Sequence, residues 1–116
     1  DCQYWDCRYR MEAVVYLQQL VEATMKKFTF EKVKTPVFLA YYYKDETHQD
    51  ETVRVDAMLE MFDKLGTGSE LKEKMAFPEA GNHVIACELT SKSYREVFDE
   101  TVKFAEKVLK LQPVAE

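Results

Sequence analysis

The chain has two histidines, and each lies in a polar loop that follows an apolar segment. His48 lies in KDETHQDETV, directly after the apolar run PVFLAYYY, and His83 lies in FPEAGNHVIA. A histidine that acts as a general base needs a carboxylate at Nδ1, because the carboxylate fixes the tautomer and stabilises the imidazolium that forms. Since acids crowd the first loop, the two loops together are candidates for an Asp–His pair.

Asp45 and His83 are the predicted acid and base of this pair. Asp45 comes two residues after Tyr43, at the end of one predicted strand, and His83 comes six residues after Phe77, at the end of another. Sites in open parallel α/β sheets form beyond the carboxyl ends of the strands. If the two strands are adjacent and parallel, both loops emerge at the same edge, and the pattern predicts that the two side chains meet.

Other polar residues of the first loop have competing interpretations. Glu46 is the alternative acid, because it is adjacent to Asp45. Asp50 and Glu51 are predicted to be solvated acids at the start of a helix, where negative charge is electrostatically favourable. His48 has no apolar pattern around it and is predicted to lie on the surface.

Apolar periodicity predicts an α/β fold with the order helix, strand, helix, strand, helix. The serine and glutamate of Ser93-x-x-Glu96 have the spacing of a capping box at the start of the last helix. Two strands joined by a crossover helix predict a right-handed parallel βαβ unit. The first strand is apolar throughout, which predicts that it is buried on both faces. Because two strands alone form a marginal sheet, we expect this strand to need further neighbours. The predicted elements are helices near 5–27, 55–65 and 93–109, and strands near 37–43 and 71–77, with Gly66 as the C-terminal cap of the second helix.

The composition excludes several classes of protein. The formal net charge is −5 with acids and bases intermixed, which argues against a nucleic-acid binder. No apolar stretch approaches the roughly 20 residues that cross a bilayer. Cys2 and Cys7 are able to pair, but together with Cys87 they do not have the spacing of a zinc site. We expect neither a metal nor another cofactor.

A long part of the chain resembles the C-terminal part of an α/β-hydrolase. The likeness is carried by KTPVFLAYYYKDETHQDETVRVDAMLEMFDKLG followed by KEKMAFPEAGNHVIA. It is greatest to the branch of serine aminopeptidases and monoglyceride-lipase-like proteins, with Bacteroides-type hydrolases as the nearest group. The resemblance implies a partial three-layer α/β/α hydrolase fold. In that fold, residues 1–34 are the end of the cap region and a connecting helix, and residues 35–116 are the C-terminal βαβα part of the core.

The resemblance also implies hydrolysis of an ester or other acyl bond by a Ser–His–Asp triad. Asp45 matches the triad acid and His83 the triad base, although Tyr42 stands where the family often has a glycine. The G-x-S-x-G elbow that holds the nucleophilic serine in this superfamily does not occur in the chain. The start of the chain, DCQYWDCRYR, is interpreted as the cut end of a longer protein. We therefore expect the serine to lie outside this polypeptide and the chain alone to be inactive.

Two other functions stay open at this stage. The chain is alternatively a non-catalytic α/β module that dimerises or binds a partner. The surface for this would be an exposed sheet edge or the N-terminal aromatic residues Tyr4, Trp5 and Tyr9. The third hypothesis is a thiol enzyme in which Cys87 is paired with His83, although a buried core thiol is the more ordinary role.

Overall fold

The computed structural model describes residues 7–112 and residue 114. Its architecture is mixed α/β, which confirms the predicted class and the alternation of the longer helices with two parallel strands. A short helix and a small antiparallel hairpin were not predicted. The elements are α1 (Met11–Thr24), α2 (Lys27–Phe30), β1 (Val37–Tyr41), β2 (Tyr43–Asp45), β3 (His48–Gln49), α3 (Val55–Lys64), β4 (Lys72–Ala76) and α4 (Tyr94–Val108).

Strands β1 and β4 form a parallel two-stranded sheet, and α3 connects them. Their register runs from Val37 opposite Lys72 to Tyr41 opposite Ala76. Pro36 prevents a helix before β1, and the aliphatic and aromatic residues that follow favour an extended backbone. The predicted parallel βαβ unit is therefore present, and both strands point their carboxyl ends to the same edge.

The prediction that β1 is buried on both faces is wrong for the described residues. All five of its residues are half-buried. Helix α4 covers one face, where the ring of Phe38 stacks on that of Phe104 with 5.4 Å between centroids. Helix α1 buries none of its own residues, so it does not shield the strand from solvent.

The hydrophobic core lies directly beneath the loop that carries His83. Phe77 follows β4, is fully buried, and donates its backbone N–H to the carbonyl of Tyr41 at 2.9 Å. It packs with Ala80 and with Val97 of α4. The loop after β4 therefore starts from a fixed point in the core.

Two helix ends lie where the sequence predicts, but without the predicted capping bonds. Gly66 follows Leu65, the C-cap of α3, yet it does not adopt the left-handed conformation of a capping glycine, and its N–H donates to the carbonyl of Phe30 rather than to α3. Gly66 instead passes so close to α2 that an added Cβ would lie 2.1 Å from the carbonyl oxygen of Glu31. Ser93 is the N-cap residue of α4, as predicted, but its hydroxyl makes no capping hydrogen bond and its backbone lacks the extended conformation typical of a capping serine. Its N–H donates to Ser91 Oγ at 3.1 Å.

Helix α1 carries a row of apolar side chains that it does not bury. The predicted helix near 5–27 is observed as α1 and the short α2, and positions 1–6 lie outside the described residues. Among the helices of the described ranges, none has the length and apolarity needed to cross a membrane. The exposed apolar residues of α1 are Met11, Val14, Val15, Tyr16, Leu17, Leu20 and Val21.

Candidate functional site

The β2–β3 hairpin carries the chain away from β1 and brings it back. Asp45 pairs with His48 across the hairpin in antiparallel register. Its Oδ1 atom accepts the backbone N–H groups of Thr47 and His48, each at 2.9 Å, and the Thr47 hydroxyl at 2.8 Å. Aspartate favours such turns because its side chain satisfies nearby backbone donors. Asp45 therefore builds the hairpin tip.

Asp50 follows the hairpin and is fixed by both its backbone and its side chain. Its N–H donates to the carbonyl of Tyr42 at 3.1 Å, which returns the chain to the end of β1. Its Oδ1 atom accepts the N–H groups of Thr52 and Val53 at 2.8 and 2.9 Å. These bonds turn the chain toward α3. They use only Oδ1, so Oδ2 is available to a partner outside this turn.

His83 is placed by a tight turn at the end of the loop that follows β4. Gly81 has a φ of +70°, a conformation that glycine adopts without steric cost. Asn82 Oδ1 then accepts the N–H of Val84 at 3.0 Å, which fixes the backbone on the other side of the histidine. The imidazole is thus held on a short turn above the core.

The structure brings His83 together with Asp50. Nδ1 of His83 and Oδ2 of Asp50 are 2.6 Å apart. The side chain of Asp50 is only 3% exposed, whereas that of His83 is 43% exposed. Because an ionised carboxylate only accepts hydrogen bonds, Nδ1 carries the proton in this pair and Nε2 is the ring nitrogen available for proton transfer.

The predicted partner of His83, Asp45, is engaged with the other histidine. His48 Nδ1 lies 2.9 Å from Asp45 Oδ1 and 3.1 Å from Asp45 Oδ2. The carboxylate that contacts His83 belongs neither to Asp45 nor to the alternative acid Glu46. His48 is exposed, in agreement with its predicted surface position, whereas the expectation of a solvated Asp50 is wrong because its carboxylate is buried under His83.

The environment of Asp50 keeps its carboxyl group ionised. Burial acts to raise the pKa of Asp50, but the hydrogen bonds from His83 and from the N–H groups of Val53 and Thr52 outweigh it. The net effect is a lowered pKa. The pKa of Asp45 is also lowered, first by the hydrogen bond from Thr47 and then by that from His48. Both histidines therefore face carboxylates rather than carboxylic acids at neutral pH.

An open cavity of about 760 Å³ lies in front of the two imidazoles. His83 and His48 both line it, together with the ring of Tyr42 and the polar side chains of Glu51 and Asn82. A partly open cavity beside a histidine with an oriented ring is the kind of place in which a substrate binds.

No hydroxyl or thiol is hydrogen-bonded to His83 within the described part of the chain. The imidazole of His83 is hydrogen-bonded to Asp50, and neither Ser69, Ser91 nor Cys87 shares a hydrogen bond with it. Cys87 is half-buried. A Cys87–His83 pair is therefore absent from this geometry. In the same described ranges, no group of three or more His, Cys, Asp or Glu side chains is arranged to hold a metal ion.

Sequence reasoning missed Asp50, because the hairpin was not foreseen. A chain that leaves β1 without a hairpin has its first acid, Asp45, nearest to the strand end. One signal for Asp50 was present in the sequence. An aspartate often accepts the backbone N–H groups two and three residues later, and Asp50 does so with Thr52 and Val53.

Comparison of the chain with protein-family models, with curated proteins and with solved structures finds no match. The geometry of the site is consequently the basis on which a function is assigned. Cys2, Tyr4 and Trp5, which entered the predictions of a disulfide and of an aromatic surface, lie outside the described residues.

Proposed function

We propose that this chain supplies the general base and the orienting acid of a serine hydrolase that cleaves an ester or related acyl bond. His83 is the base and Asp50 is the acid. The observation that carries the proposal is the 2.6 Å contact between His83 Nδ1 and the buried Oδ2 of Asp50. In this proposal Asp50 takes the role that the sequence pattern had suggested for Asp45.

The location of the pair supports this reaction. Asp50 is tied to the residue after β1, and the loop of His83 begins at Phe77, directly after β4. The two groups therefore meet beyond the carboxyl ends of adjacent parallel strands, where reactive groups of open α/β sheets lie. The partial three-layer α/β/α arrangement implied by the resemblance to α/β-hydrolases belongs to this proposal as well, with α4 as one outer layer.

The chemistry needs one group beyond this pair. Nε2 of His83 takes the proton from a serine hydroxyl as the serine oxygen attacks the acyl carbon. The tetrahedral intermediate then collapses, and the same proton passes from Nε2 to the leaving alcohol or amine. Water repeats the sequence and releases the acid. Asp50 stays ionised throughout and stabilises the imidazolium, and the serine is provided by a segment outside the 116 residues of this chain.

The test is made on the product of the complete reading frame that encodes this chain. Hydrolysis of p-nitrophenyl butyrate and labelling by a fluorophosphonate are measured for the wild type, His83→Gln, Asp50→Asn and Glu46→Gln. We expect His83→Gln to lower kcat by about 10⁴-fold or more and Asp50→Asn by about 10³- to 10⁴-fold. Glu46→Gln is the matched control, since it removes a charge from the same loop without touching His83, and it should retain activity.

Two results would contradict this proposal, the first by excluding the hydrolase activity and the second by excluding Asp50 as the acid. One is a complete product that neither reacts with the fluorophosphonate nor hydrolyses the ester. The other is an Asp50→Asn protein that keeps the wild-type kcat while Glu46→Gln loses it, which would return the acid role to the hairpin tip.

The apolar surface of α1 favours a second candidate function, association with another polypeptide. Leu17 and Leu20 are each 59% exposed, and no residue of α1 is buried. A continuous exposed apolar surface of this kind marks an interaction site. In this alternative the chain is a non-catalytic α/β module that dimerises.

Light scattering on the chain over a wide range of concentrations tests this alternative. If the chain dimerises through α1, the double variant Leu17→Glu/Leu20→Glu should be a monomer. The control variant Gln19→Glu, on the same helix, should still dimerise. A wild-type chain that stays monomeric at every concentration would dispose of the module hypothesis.

A further inference from the structure

We propose that His48 is a second substrate-contacting imidazole, and that the group bound between it and His83 is uncharged and bears hydroxyl groups. In an ester substrate this group is the alcohol portion, a statement that rests on the hydrolase proposal. The binding itself does not require the serine or any turnover.

The ring of His48, like that of His83, is oriented by a carboxylate at Nδ1. Its Nδ1 atom faces both oxygens of Asp45 and also lies 3.0 Å from Thr47 Oγ1. Asp45 is in turn fixed by the backbone N–H groups of the hairpin tip. Because every hydrogen bond found for this ring within the described residues is made by Nδ1, Nε2 is the nitrogen that a ligand meets. The hairpin tip thus gives Nε2 a defined direction, which a group that contacts a ligand requires.

The two oriented imidazoles line the same cavity. His48 and His83 approach it from different loops, since one lies on the β2–β3 hairpin and the other on the turn after β4. The side chain of His48 is 63% exposed, so its ring is accessible from the cavity. A substrate whose acyl carbon lies near His83 therefore extends past His48.

The remaining lining residues define the chemical class of the ligand. Neither lysine nor arginine lines the cavity among the described residues, whereas the carboxylate of Glu51 does. A carboxylate or phosphate ligand would thus meet a like charge without a guanidinium or ammonium partner. The amides of Gln49 and Asn82 and the ring of Tyr42 offer neutral donors, acceptors and an apolar face.

Hydroxyl groups match this lining best, because each is both a donor and an acceptor. An ammonium group is the main competitor, since Glu51 and the rings of Tyr9 and Tyr42 are able to attract a cation. Two imidazoles on the same wall act against it, because each repels a cation whenever it is protonated. The observations therefore favour an uncharged polyol, and a cation becomes an outcome of the test.

The experiment follows the ring ¹⁵N shifts of both histidines in the 116-residue chain by NMR. Three small probes are titrated: methyl β-glucopyranoside as an uncharged polyol, acetate as an anion and methylammonium as a cation. We expect only the glucoside to give saturable shifts at both rings. Because few contacts hold so small a ligand, the titration extends to roughly 100 mM, which covers millimolar dissociation constants.

Variants then test the role of His48 itself. His48→Ala should weaken glucoside binding, measured at the His83 ring, by roughly three- to tenfold, which corresponds to the loss of one hydrogen bond. His48→Gln should recover most of that loss, because an amide replaces Nε2 as a hydrogen-bonding group. Glu46→Gln is the control on the same hairpin, since the side chain of Glu46 does not line the cavity, and it should bind as the wild type does.

Several results would overturn the proposal. Saturable binding of acetate or methylammonium in place of the glucoside would overturn the ligand class, and unchanged affinity in His48→Ala would overturn the role of His48. The absence of saturable shifts with all three probes would overturn both. None of these results bears on ester hydrolysis by the complete gene product. Likewise, the loss of hydrolysis in His83→Gln says nothing about glucoside binding. The binding proposal and the hydrolase proposal can therefore fail independently of each other.

Discussion

His83 and Asp50 are 33 positions apart in the chain, yet Nδ1 of one and Oδ2 of the other are separated by 2.6 Å. The contact joins a buried carboxylate to a half-exposed imidazole. A buried anion is stable only when its hydrogen-bonding capacity is used, and here His83, Thr52 and Val53 use it. The pair therefore stabilises the loops and presents Nε2 to the cavity in one structural arrangement.

Replacing Asp50 with asparagine should change both the stability and the tautomer of His83. The substitution keeps the shape but removes the charge, so we expect a loss of about 1–3 kcal/mol in the free energy of unfolding. The asparagine N–H₂ group is able to donate to Nδ1, which moves the ring proton to Nε2. Urea unfolding measures the first effect, and ¹⁵N NMR of the His83 ring measures the second.

Asp45→Asn is the matched control for that experiment. Asp45 contacts His48 rather than His83 and is half-exposed, so its replacement should cost less stability and should alter only the His48 ring. If Asp45→Asn instead shifts the His83 tautomer, the two pairs are coupled in solution and the assignment of Asp50 as the partner is contradicted.

The stability of the chain should fall in acid partly because of Asp50. Its pKa is lowered in the folded state, so its contribution is fully present above the unfolded-state value of about 3.9. That contribution is lost as the pH falls through the lower folded-state pKa. We therefore expect the difference in thermal midpoint between wild type and Asp50→Asn to be present at about pH 5 and to shrink below about pH 4.

Asp56→Asn supplies the comparison for the acid experiment. The pKa of Asp56 is also lowered, by its hydrogen bond with Arg54, but the pair is exposed and screened by solvent. Its removal should change the pH profile less than removal of Asp50. A difference between wild type and Asp50→Asn that does not shrink in acid would mean that Asp50 is not ionised in the folded chain.

The parallel sheet was predictable because its signals are local. Pro36 before an unbroken apolar run predicts β1, and the alternation of apolar residues with Lys72 and Lys74 predicts β4. Only one long helical pattern, that of α3, lies between the two strands. It therefore predicts a crossover helix, which makes the strands parallel. The pattern predicted more burial for β1 than is observed, because burial depends on how many other elements cover the strand.

The site was only half predictable, because its acid depends on an element that periodicity does not reveal. The β2–β3 hairpin is too short to show alternation, with three residues in one strand and two in the other. Its tip is formed by local hydrogen bonds of the Asp45 side chain, which nothing in the surrounding polar run distinguishes from those that Glu46 or Asp50 could make. His83 was identifiable from its glycine turn after a strand, whereas the choice among Asp45, Glu46 and Asp50 required the path of the hairpin.

Gly66→Ala should destabilise the chain because a backbone carbonyl occupies the required space. An added Cβ would lie 2.1 Å from Glu31 O, and the N–H of Gly66 also donates to Phe30 O at 3.2 Å. Since the backbone of α2 must move, we expect a loss of about 1–3 kcal/mol in urea unfolding.

Gly68→Ala is the control for the glycine experiment. Its added Cβ would meet only the flexible side chain of Glu70, which is able to rotate away. The smaller conformational freedom of alanine in the unfolded chain should then make this variant as stable as the wild type, or more stable by about 0.4–1 kcal/mol. Equal destabilisation by both substitutions would contradict the close approach of Gly66 to α2.

Phe77 is the core residue on which the loop of His83 depends, and its truncation should affect both stability and the site. The side chain is fully buried between the sheet and α4. Phe77→Ala should therefore cost about 3–5 kcal/mol in unfolding free energy, and Phe77→Leu a smaller amount that keeps the chain folded for measurement. Phe98→Ala is the control, because Phe98 is 66% exposed and its loss should change stability by only about 0.5 kcal/mol.

In folded Phe77→Leu, we expect the His83 Nδ1 proton to exchange faster with water than in Phe98→Ala, since the loop has lost part of its anchor. Unaltered exchange in a measurably destabilised Phe77→Leu protein would show that the contact with Asp50 holds the imidazole without help from the core.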